Sequence, residues 1–147
     1  MTLDDIDRQI IAMLQEDGRR SYSEIAEEVD RTEVTIRRRV RSLLKEGIIK
    51  RFTIVLDPLK IGRKISAIVR VKAQMKQASV IAEKVKGYEE VDEAYFLDGV
   101  CVGMLKVTVD DLSDLKQFLE KRLGRVPGVG EVETCIVLET VKSPFDA

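Results

Sequence analysis

The sequence contains no histidine and only two cysteines among its 147 residues. Without histidine it lacks the commonest general base and the commonest transition-metal ligand, and two cysteines alone cannot complete a Cys/His zinc site. Cys101 and Cys135 have no CxxC spacing, which favours thiols packed as small apolar side chains over a disulfide between them. No glycine-rich phosphate loop is present. The composition therefore predicts no cofactor and argues against an enzyme.

Long apolar runs are also missing, although 44% of the residues are hydrophobic. The apolar stretches extend over only a few residues, which is too short to span a bilayer. The first residues, MTLDDIDRQI, are acidic and lack the basic segment followed by an apolar one that marks a signal peptide. These features predict a cytoplasmic protein with no membrane partner.

Positive charge is concentrated in one segment of a chain whose net charge is only −1. Residues 1–30 contain nine acids and three bases, a net of −6, whereas residues 31–51 contain eight bases and two acids, a net of +6. Within the basic segment, four of five consecutive positions are arginine: Arg37, Arg38, Arg39 and Arg41. Solvated helix faces usually mix charges of both signs, so this cluster favours contact with a polyanion over a simple solvated face.

Apolar residues in the first 47 positions recur with helical spacing and predict three short helices. The first covers residues 4–15, the second starts at Ser21 with a capping box to Glu24, and the third starts at the N-cap Thr32 and ends at Gly47. The predicted buried stripes are Ile6, Ile10, Ile11 and Leu14; Ile25, Ala26 and Val29; and Ile36, Val40, Leu43 and Leu44. Three short helices with the basic one last are typical of a helix-turn-helix.

The exposed positions of the third helix predict a DNA-contacting surface. In a helix-turn-helix, the second helix supports the third in the major groove, where short polar side chains reach base edges and arginines bind phosphates or guanine. Arg39 falls closer to the buried edge of the helix. The candidate DNA-binding residues are Ser21, Ser23, Thr32, Thr35, Arg37, Arg38, Arg41 and Lys45.

Beyond residue 48 the pattern predicts a linking strand at 49–56, closed by Pro58, and then a βαββαβ order. The later elements are a strand at 65–73, a helix at 78–86, a strand at 91–97, an Asp98-Gly99 hairpin turn, a strand at 100–109, a helix at 111–124 and a strand at 131–141. The residues expected on the buried face of the helix at 111–124 are Leu112, Leu115, Leu119 and Leu123. This order predicts a ferredoxin-like sandwich with an antiparallel sheet and both helices on one face.

The strand at 100–109 has apolar residues on both of its faces, although the predicted helices cover only one. The two sets are Val100, Val102 and Met104 on one face and Cys101, Gly103 and Leu105 on the other. The uncovered face is therefore predicted to be a dimer interface.

Four segments carry a resemblance that covers nearly the whole chain: LDDIDRQIIAMLQEDGR, EIAEEV, TIRRRVRSLLKEGIIKRFTIVLDPLKIG and VPGVGEVETCIVL. Together they resemble the Lrp/AsnC (feast/famine) family of prokaryotic transcription regulators. The resemblance implies that the third helix binds double-stranded DNA. It also implies that the C-terminal sheets pair two chains into a homodimer, which assembles further into a tetramer or an octamer. A small effector, commonly an amino acid, is expected near the turn between the second and third strands of the C-terminal module.

The resemblance and the element pattern together give a fold class of α+β with three parts. Residues 1–48 form the helix-turn-helix (winged-helix-like) DNA-binding domain, and residues 49–63 form the linking strand and hinge. Residues 64–147 form the ferredoxin-like domain for effector binding and oligomerisation.

The expected effector turn departs from the family pattern. Relatives often read TGDYDYLLKV there, whereas this chain reads DGVCVGMLKV from Asp98 to Val107. Asp98 is the remaining carboxylate of the turn, and a buried, unpaired ammonium group would be costly. Either Asp98 accepts the ammonium group of an amino acid, the ligand is less polar, or no effector binds. The candidate effector-binding residues are Asp98, Gly99, Val100, Cys101, Val102 and Thr134, the last of which fits an ordinary strand threonine equally well.

These features leave three functions to compare. The first is a sequence-specific transcription regulator, and the second is an architectural protein that wraps DNA with little sequence preference. The third is a haem-biosynthesis decarboxylase, as some relatives resembling this family are. A decarboxylase would need histidines near a tetrapyrrole, and the sequence has none, so the arginine-rich third helix favours the first function.

Overall fold

The computed structural model describes residues 2–57, 60–63, 65–99 and 102–143. The chain divides between Val55 and Leu56 into two units, and this boundary falls within the segment 49–63 that the sequence assigns to a linker. None of the helices in the described ranges is both long enough and apolar enough to cross a membrane.

The described residues of the first unit form three helices whose starts are fixed by side-chain caps. They are α1 Asp5–Glu16, α2 Tyr22–Glu28 and α3 Glu33–Lys45. Ser21 forms the predicted capping box with Glu24, and Thr32 accepts a hydrogen bond from the backbone N–H of Thr35 as the N-cap of α3. Asp4 forms a further capping box at the start of α1. The three predicted helices are thus confirmed.

The apolar stripes of these helices meet in one core. Its buried residues are Ile10, Ile25, Ala26, Val29, Ile36, Val40 and Leu43. Leu44 was expected with them but is 37% exposed, because it lies at the edge of the buried stripe of α3. Gly47 follows the helix with a φ of 71°, a conformation that glycine adopts without strain. With its core on one side, α3 exposes the opposite side.

The segment that follows α3 differs from the prediction. A strand is expected over 49–56, but the described residues 50–57 form none. A strand requires a hydrogen-bonded neighbour, and the single chain supplies none to this segment in its described part. Phe52, Ile54, Val55 and Leu56 are 46–76% exposed, so a row of apolar side chains lies largely uncovered.

The described residues of the second unit form a four-stranded antiparallel sheet and a helical layer in the predicted βαββαβ order. The elements are β1 Ile65–Ala73, a 3-10 turn at Met75–Gln77, α4 Ala78–Val85, β2 Val91–Phe96, β3 Gly103–Val109, α5 Leu112–Gln117 and β4 Val129–Ile136. The strand order across the sheet is β2-β3-β1-β4, and all neighbours are antiparallel. The predicted α+β fold is confirmed.

The hairpin between β2 and β3 is wider than predicted. Phe96 pairs with Gly103, and the backbone N–H of Leu97 donates to the carbonyl of Val102 at 3.0 Å. A two-residue turn would pair Leu97 with residue 100, so the predicted Asp98-Gly99 turn is wrong, and β3 begins at Gly103. The Val102 N–H donates to the carbonyl of Val71 on β1 at 3.1 Å.

The predicted helix at 111–124 is also not uniform. After α5 the chain widens into a π-type turn at Phe118–Arg122 and tightens into a 3-10 turn at Leu123–Arg125. Leu112 is the first residue of α5 and is 60% exposed, whereas Leu115 and Phe118, three and six residues further along, are 5% and 1% exposed. Counting Leu112 as a buried position was therefore wrong. The last strand likewise covers Val129–Ile136 instead of 131–141.

The two faces of the sheet differ in chemistry. The face under the helices is apolar, and its core residues are Ala67, Val69, Val71, Leu105, Val107 and Val109, packed on Ile81, Val85, Leu115, Phe118, Leu123 and Val126. On the open face the described residues form cross-strand ion pairs: Arg70–Glu133 at 3.1 Å, Lys72–Glu131 at 2.7 Å and Lys106–Glu93 at 3.6 Å.

The open face therefore corrects two expectations. Beyond the strand for which apolar residues were expected on both faces, this face is largely charged, because many of the positions that alternate with the core residues are lysine, arginine or glutamate; Met104 and Ile68 are half-buried apolar residues on it. Cys135, expected to be packed in the core, is an exposed free thiol, because it lies opposite Ile68, between the buried positions Ala67 and Val69. Cys101 falls outside the described residues.

Candidate nucleic-acid interface

The outward side of α3 carries a row of four side chains at spacings of four, three and four residues. They are Val34, Arg38, Arg41 and Lys45, all of them exposed. These spacings place the row on one side of a 3.6-residue helix, opposite the buried Ile36, Val40 and Leu43. The core that holds α3 against α1 and α2 thus fixes which side chains point outward.

The cations of this row have no acidic partner among the residues that the structure describes. Among the described residues, no ion pair or hydrogen bond joins the side chains of Arg38, Arg41 or Lys45 to an acid. Three positive charges on one side of a helix favour binding to a polyanion. The structure thus brings these three predicted DNA-binding residues together on one surface.

Arg37 occupies a different environment at the side of the row. Its guanidinium bonds to Glu33 at 2.6 Å, one turn earlier on α3, and lies 5.4 Å from the ring centroid of Tyr22. The exposed ion pair and the cation–π contact each contribute modestly. Arg37 is therefore oriented by α2 and α3 and carries an acid beside its charge, unlike Arg38 and Arg41.

Arg39 faces the first helix. Its Nη1 donates to Asp4 Oδ2 and to Asp7 Oδ1, both at 2.8 Å, and Asp7 is buried. The hydrogen bonds from the Asp7 backbone N–H and from the Arg39 guanidinium hold the pKa of Asp4 below its ordinary value of 3.8. The Asp7 and Asp4 carboxylates in turn raise the pKa of Arg39. This cluster ties α3 to the start of α1.

Most of the predicted hydroxyl contacts take part in capping. Ser21 Oγ donates to Glu24 Oε2 at 2.7 Å and accepts from the Glu24 N–H at 3.2 Å. Thr32 Oγ1 accepts from the Thr35 N–H at 3.2 Å and lies 2.9 Å from Thr35 Oγ1. Ser23 is exposed on α2. Capping fixes the orientation of these side chains and uses part of the hydrogen-bonding capacity that base reading would need.

Val34 is the member of the outward row that the sequence pattern did not single out. Its side chain is 76% exposed, on the first turn of the helix. The predicted DNA-binding residues are all polar or cationic, so a valine is not among them. Its spacing of four residues from Arg38 and seven from Arg41 is the signal that could have found it.

The predicted effector residues gather only in part. Asp98 and Gly99 are exposed in the hairpin, while Val102 and Thr134 are half-buried beside β1. Thr134 lies opposite Val69, two positions along β1 from the residue that Val102 bonds. Val102 therefore lies close to the hairpin, whereas Thr134 lies opposite the middle residue of β1. Val100 and Cys101 fall outside the described residues.

A cavity of about 420 Å³ opens at the other end of β3, beside Val109. Its walls carry charges of both signs, among them Glu90 and Arg122, whose side chains bond at 2.5 Å. Arg122 also lies 4.7 Å from the ring centroid of Tyr88. Across the described part of the chain, no cluster of three or more carboxylate or thiol side chains is placed to hold a metal ion.

Two family models match consecutive parts of the chain. An AsnC-type helix-turn-helix domain matches residues 3–44, and an Lrp/AsnC ligand binding domain matches residues 66–145. The first match spans almost all of α1 to α3, and the second spans the sheet and its helices.

Individual proteins match over nearly the full length. One from Pyrococcus furiosus, named an HTH-type transcriptional regulator, is 39% identical over 140 residues, which cover 95% of this chain and 95% of the relative. The structure of E. coli AsnC has a TM-score of 0.88 at 25% identity and covers 97% of each chain. A Neisseria meningitidis transcriptional regulator solved as an L-Met complex has a TM-score of 0.87 at 26% identity, covering 97% of this chain and 94% of that one.

Proposed function

The chain belongs to the Lrp/AsnC family of DNA-binding transcriptional regulators, and we propose that it binds double-stranded DNA by placing α3 in the major groove. The observation that carries this proposal is the outward row of Arg38, Arg41 and Lys45, whose charges are not neutralised by acids in the described chain. Docking of a recognition helix through its N-terminal half brings the earlier residues of such a row to base edges and the later ones to phosphates. Arg38 is therefore the base reader, whereas Arg41 and Lys45 bind the backbone.

Alanine variants at Arg37, Arg38 and Arg41 test this placement. Arg38→Ala should weaken binding to the preferred sequence by about 1–3 kcal/mol and relax the choice of base at one position. Loss of a phosphate contact at Arg41 should weaken binding to all sequences and lower the salt slope by about one. Lys116→Ala is the matched control, because Lys116 is exposed on α5 in the other unit. Unchanged affinity of all three variants at low salt would rule the placement out.

A regulator of defined sites and an architectural protein that coats DNA differ in their footprints. A regulator protects discrete, two-fold-symmetric sites, whereas a wrapping protein protects DNA evenly as its concentration rises. We propose defined sites, because Arg38 and its neighbours form one compact reading surface. We further propose that the chain is not an enzyme, since the relatives above are named as regulators. An absorbance change on adding sirohaem would speak for a decarboxylase instead.

We propose a homodimer as the functional unit, able to assemble further into a tetramer or an octamer. The support is the uncovered apolar row Phe52, Ile54, Val55 and Leu56, since exposed apolar patches commonly mark interfaces between chains. Since the partner is chromosomal DNA, the proposed place of action is the cytoplasm of a prokaryotic cell.

We propose that a small effector binds near Asp98, Gly99, Val102 and Thr134, and that Val100 and Cys101, which fall outside the described residues, contribute to the same site. The match of residues 66–145 to a ligand binding domain supports an effector, and the Neisseria relative was solved with L-Met. The sequence from Asp98 to Val102 contains one carboxylate and three apolar side chains. An effector of low polarity therefore fits better than a polar amino acid.

A further inference from the structure

Val34 stands out on the reading surface because it is aliphatic. It is the second residue of α3 and is 76% exposed, in a row whose other members are cations. Single exposed apolar residues are ordinary on protein surfaces, but this one shares its row with Arg38 and Arg41, the side chains proposed to face DNA.

The rest of the first turn is used within the chain. Thr32 caps the helix by accepting from the Thr35 N–H, and the hydroxyls of the two threonines lie 2.9 Å apart. Glu33 is paired with Arg37 at 2.6 Å. The N-terminal turn is also the part of a recognition helix that reaches base edges. Val34 is thus the outward side chain of this turn that has no partner described above, and its possible contact in the groove must be apolar.

The major groove presents one apolar group among its base edges, the C5-methyl of thymine. We propose that Val34 is a specificity-determining residue that selects thymine by packing its γ-methyl groups against that methyl. The inference rests on the proposed function, since it requires α3 to lie in the major groove. Arg38, one turn further along the same row, then reads the neighbouring base pair.

The experiment begins with selection of preferred sites from random duplexes by the full chain. Each thymidine of the selected site is then replaced singly by deoxyuridine, which pairs in the same way and lacks only the methyl group. At one thymine position in each copy of the recognition sequence, the replacement should weaken binding about fourfold, the factor that corresponds to burial of one methyl group.

The variant Val34→Ala completes a double-mutant cycle. It should bind the thymine site about as weakly as the unaltered protein binds the deoxyuridine site, and it should no longer distinguish the two. Its salt slope should be unchanged, because no charge is involved. The matched control is Val80→Ala, an exposed valine on α4 in the other unit, which should retain the full deoxyuridine effect.

The possible results distinguish a failure of thymine reading by Val34 from a failure of sequence-specific DNA binding. Deoxyuridine replacement without effect at every thymine, or an effect that persists in Val34→Ala, overturns the role of Val34 while leaving the Arg38 result intact. If selection yields no preferred sequence, the proposed sequence-specific regulator and the thymine reading both fail.

Discussion

The arginines of the cluster on α3 differ in their surroundings and therefore in their roles. Arg38 and Arg41 are exposed and carry charge outward, whereas Arg39 donates to two carboxylates of α1 at 2.8 Å. Composition and charge counting cannot make this distinction, because all of these residues add equally to the positive total. The distinction comes from helical phase, which turns Arg39 toward the core side of α3.

Removal of Arg39 should therefore destabilise the first unit. Arg39→Ala leaves the buried Asp7 carboxylate without its cation, and breaking a buried pair costs about 3 kcal/mol. Urea unfolding should show this loss, while Arg38→Ala, the neighbouring arginine without such a pair, should unfold like the unaltered protein. Equal stability of the two variants would show that the Asp4–Asp7–Arg39 cluster does not hold α3 in place.

Acid should weaken the same cluster. The pKa of Asp4 is held below its ordinary value of 3.8 in the folded chain, so its stabilising contribution is complete above that value and disappears as pH falls through the lower, folded pKa. Asp4→Asn keeps a capping side chain but cannot titrate. Between pH 6 and 2, the free energy of unfolding should therefore fall less steeply for Asp4→Asn than for the unaltered chain. A parallel decline in both proteins would contradict this assignment.

The residues that the sequence predicts well act through near neighbours. Ser21 with Glu24 and Thr32 with Thr35 are three residues apart, so a capping pattern is sufficient to find them. The bond from Arg39 to Asp7 spans 32 residues, and nothing in the local pattern connects them. Val34 was missed for another reason, because its value for DNA reading depends on exposure and not on polarity.

At the scale of elements, helix and strand periodicity predicted the existence and order of the main elements but not their ends. Leu112 was wrongly placed in the buried stripe because periodicity does not show whether the first residue of a helix has a neighbour to pack against. No local signal marks the π-type turn at Phe118–Arg122 either. The linking strand failed for a different reason. Alternating apolar residues show that a segment can form a strand, but not that the chain contains its partner strand.

The sequence from Asp98 to Val102 leads to a prediction about effectors. Its apolar content should make DNA binding almost insensitive to leucine, lysine or glutamine at millimolar concentration, because Asp98 alone offers a carboxylate to their ammonium groups. Calorimetric titration with the twenty amino acids measures this directly. A micromolar dissociation constant for a polar amino acid would contradict the prediction.

If such binding is found, Asp98→Asn identifies its acceptor. Loss of binding would show that this one carboxylate is sufficient. Asp110→Asn is the matched control, because Asp110 is an exposed aspartate beside the cavity at the other end of β3, roughly 20 Å away at about 3.3 Å per strand residue. Loss of binding in Asp110→Asn alone would move the effector to that cavity.

The whole molecule is expected to be a stable dimer. Sedimentation of the full chain at micromolar concentration should give a dimer or a larger assembly, because the apolar row at 52–56 is uncovered in the single chain. Ile54→Ser removes a side chain that is 76% exposed in that row and should weaken association. Leu112→Ser, a similarly exposed position on the helical layer of the sheet, should not. A stable monomer of the unaltered chain would end the proposal.

The ion pairs on the open sheet face distribute charge in rows along the strands. The central strands β1 and β3 supply the positive ends and the outer strands β4 and β2 the negative ends: Arg70, Lys72 and Lys106 against Glu133, Glu131 and Glu93. The face is thus positive along its middle and negative along both flanks. A second copy laid strand over strand would set like charges opposite each other, whereas one that is crossed at a wide angle or shifted sideways brings opposite charges together. In a dimer that pairs through this face, the charge pattern would therefore disfavour parallel stacking and favour a crossed arrangement.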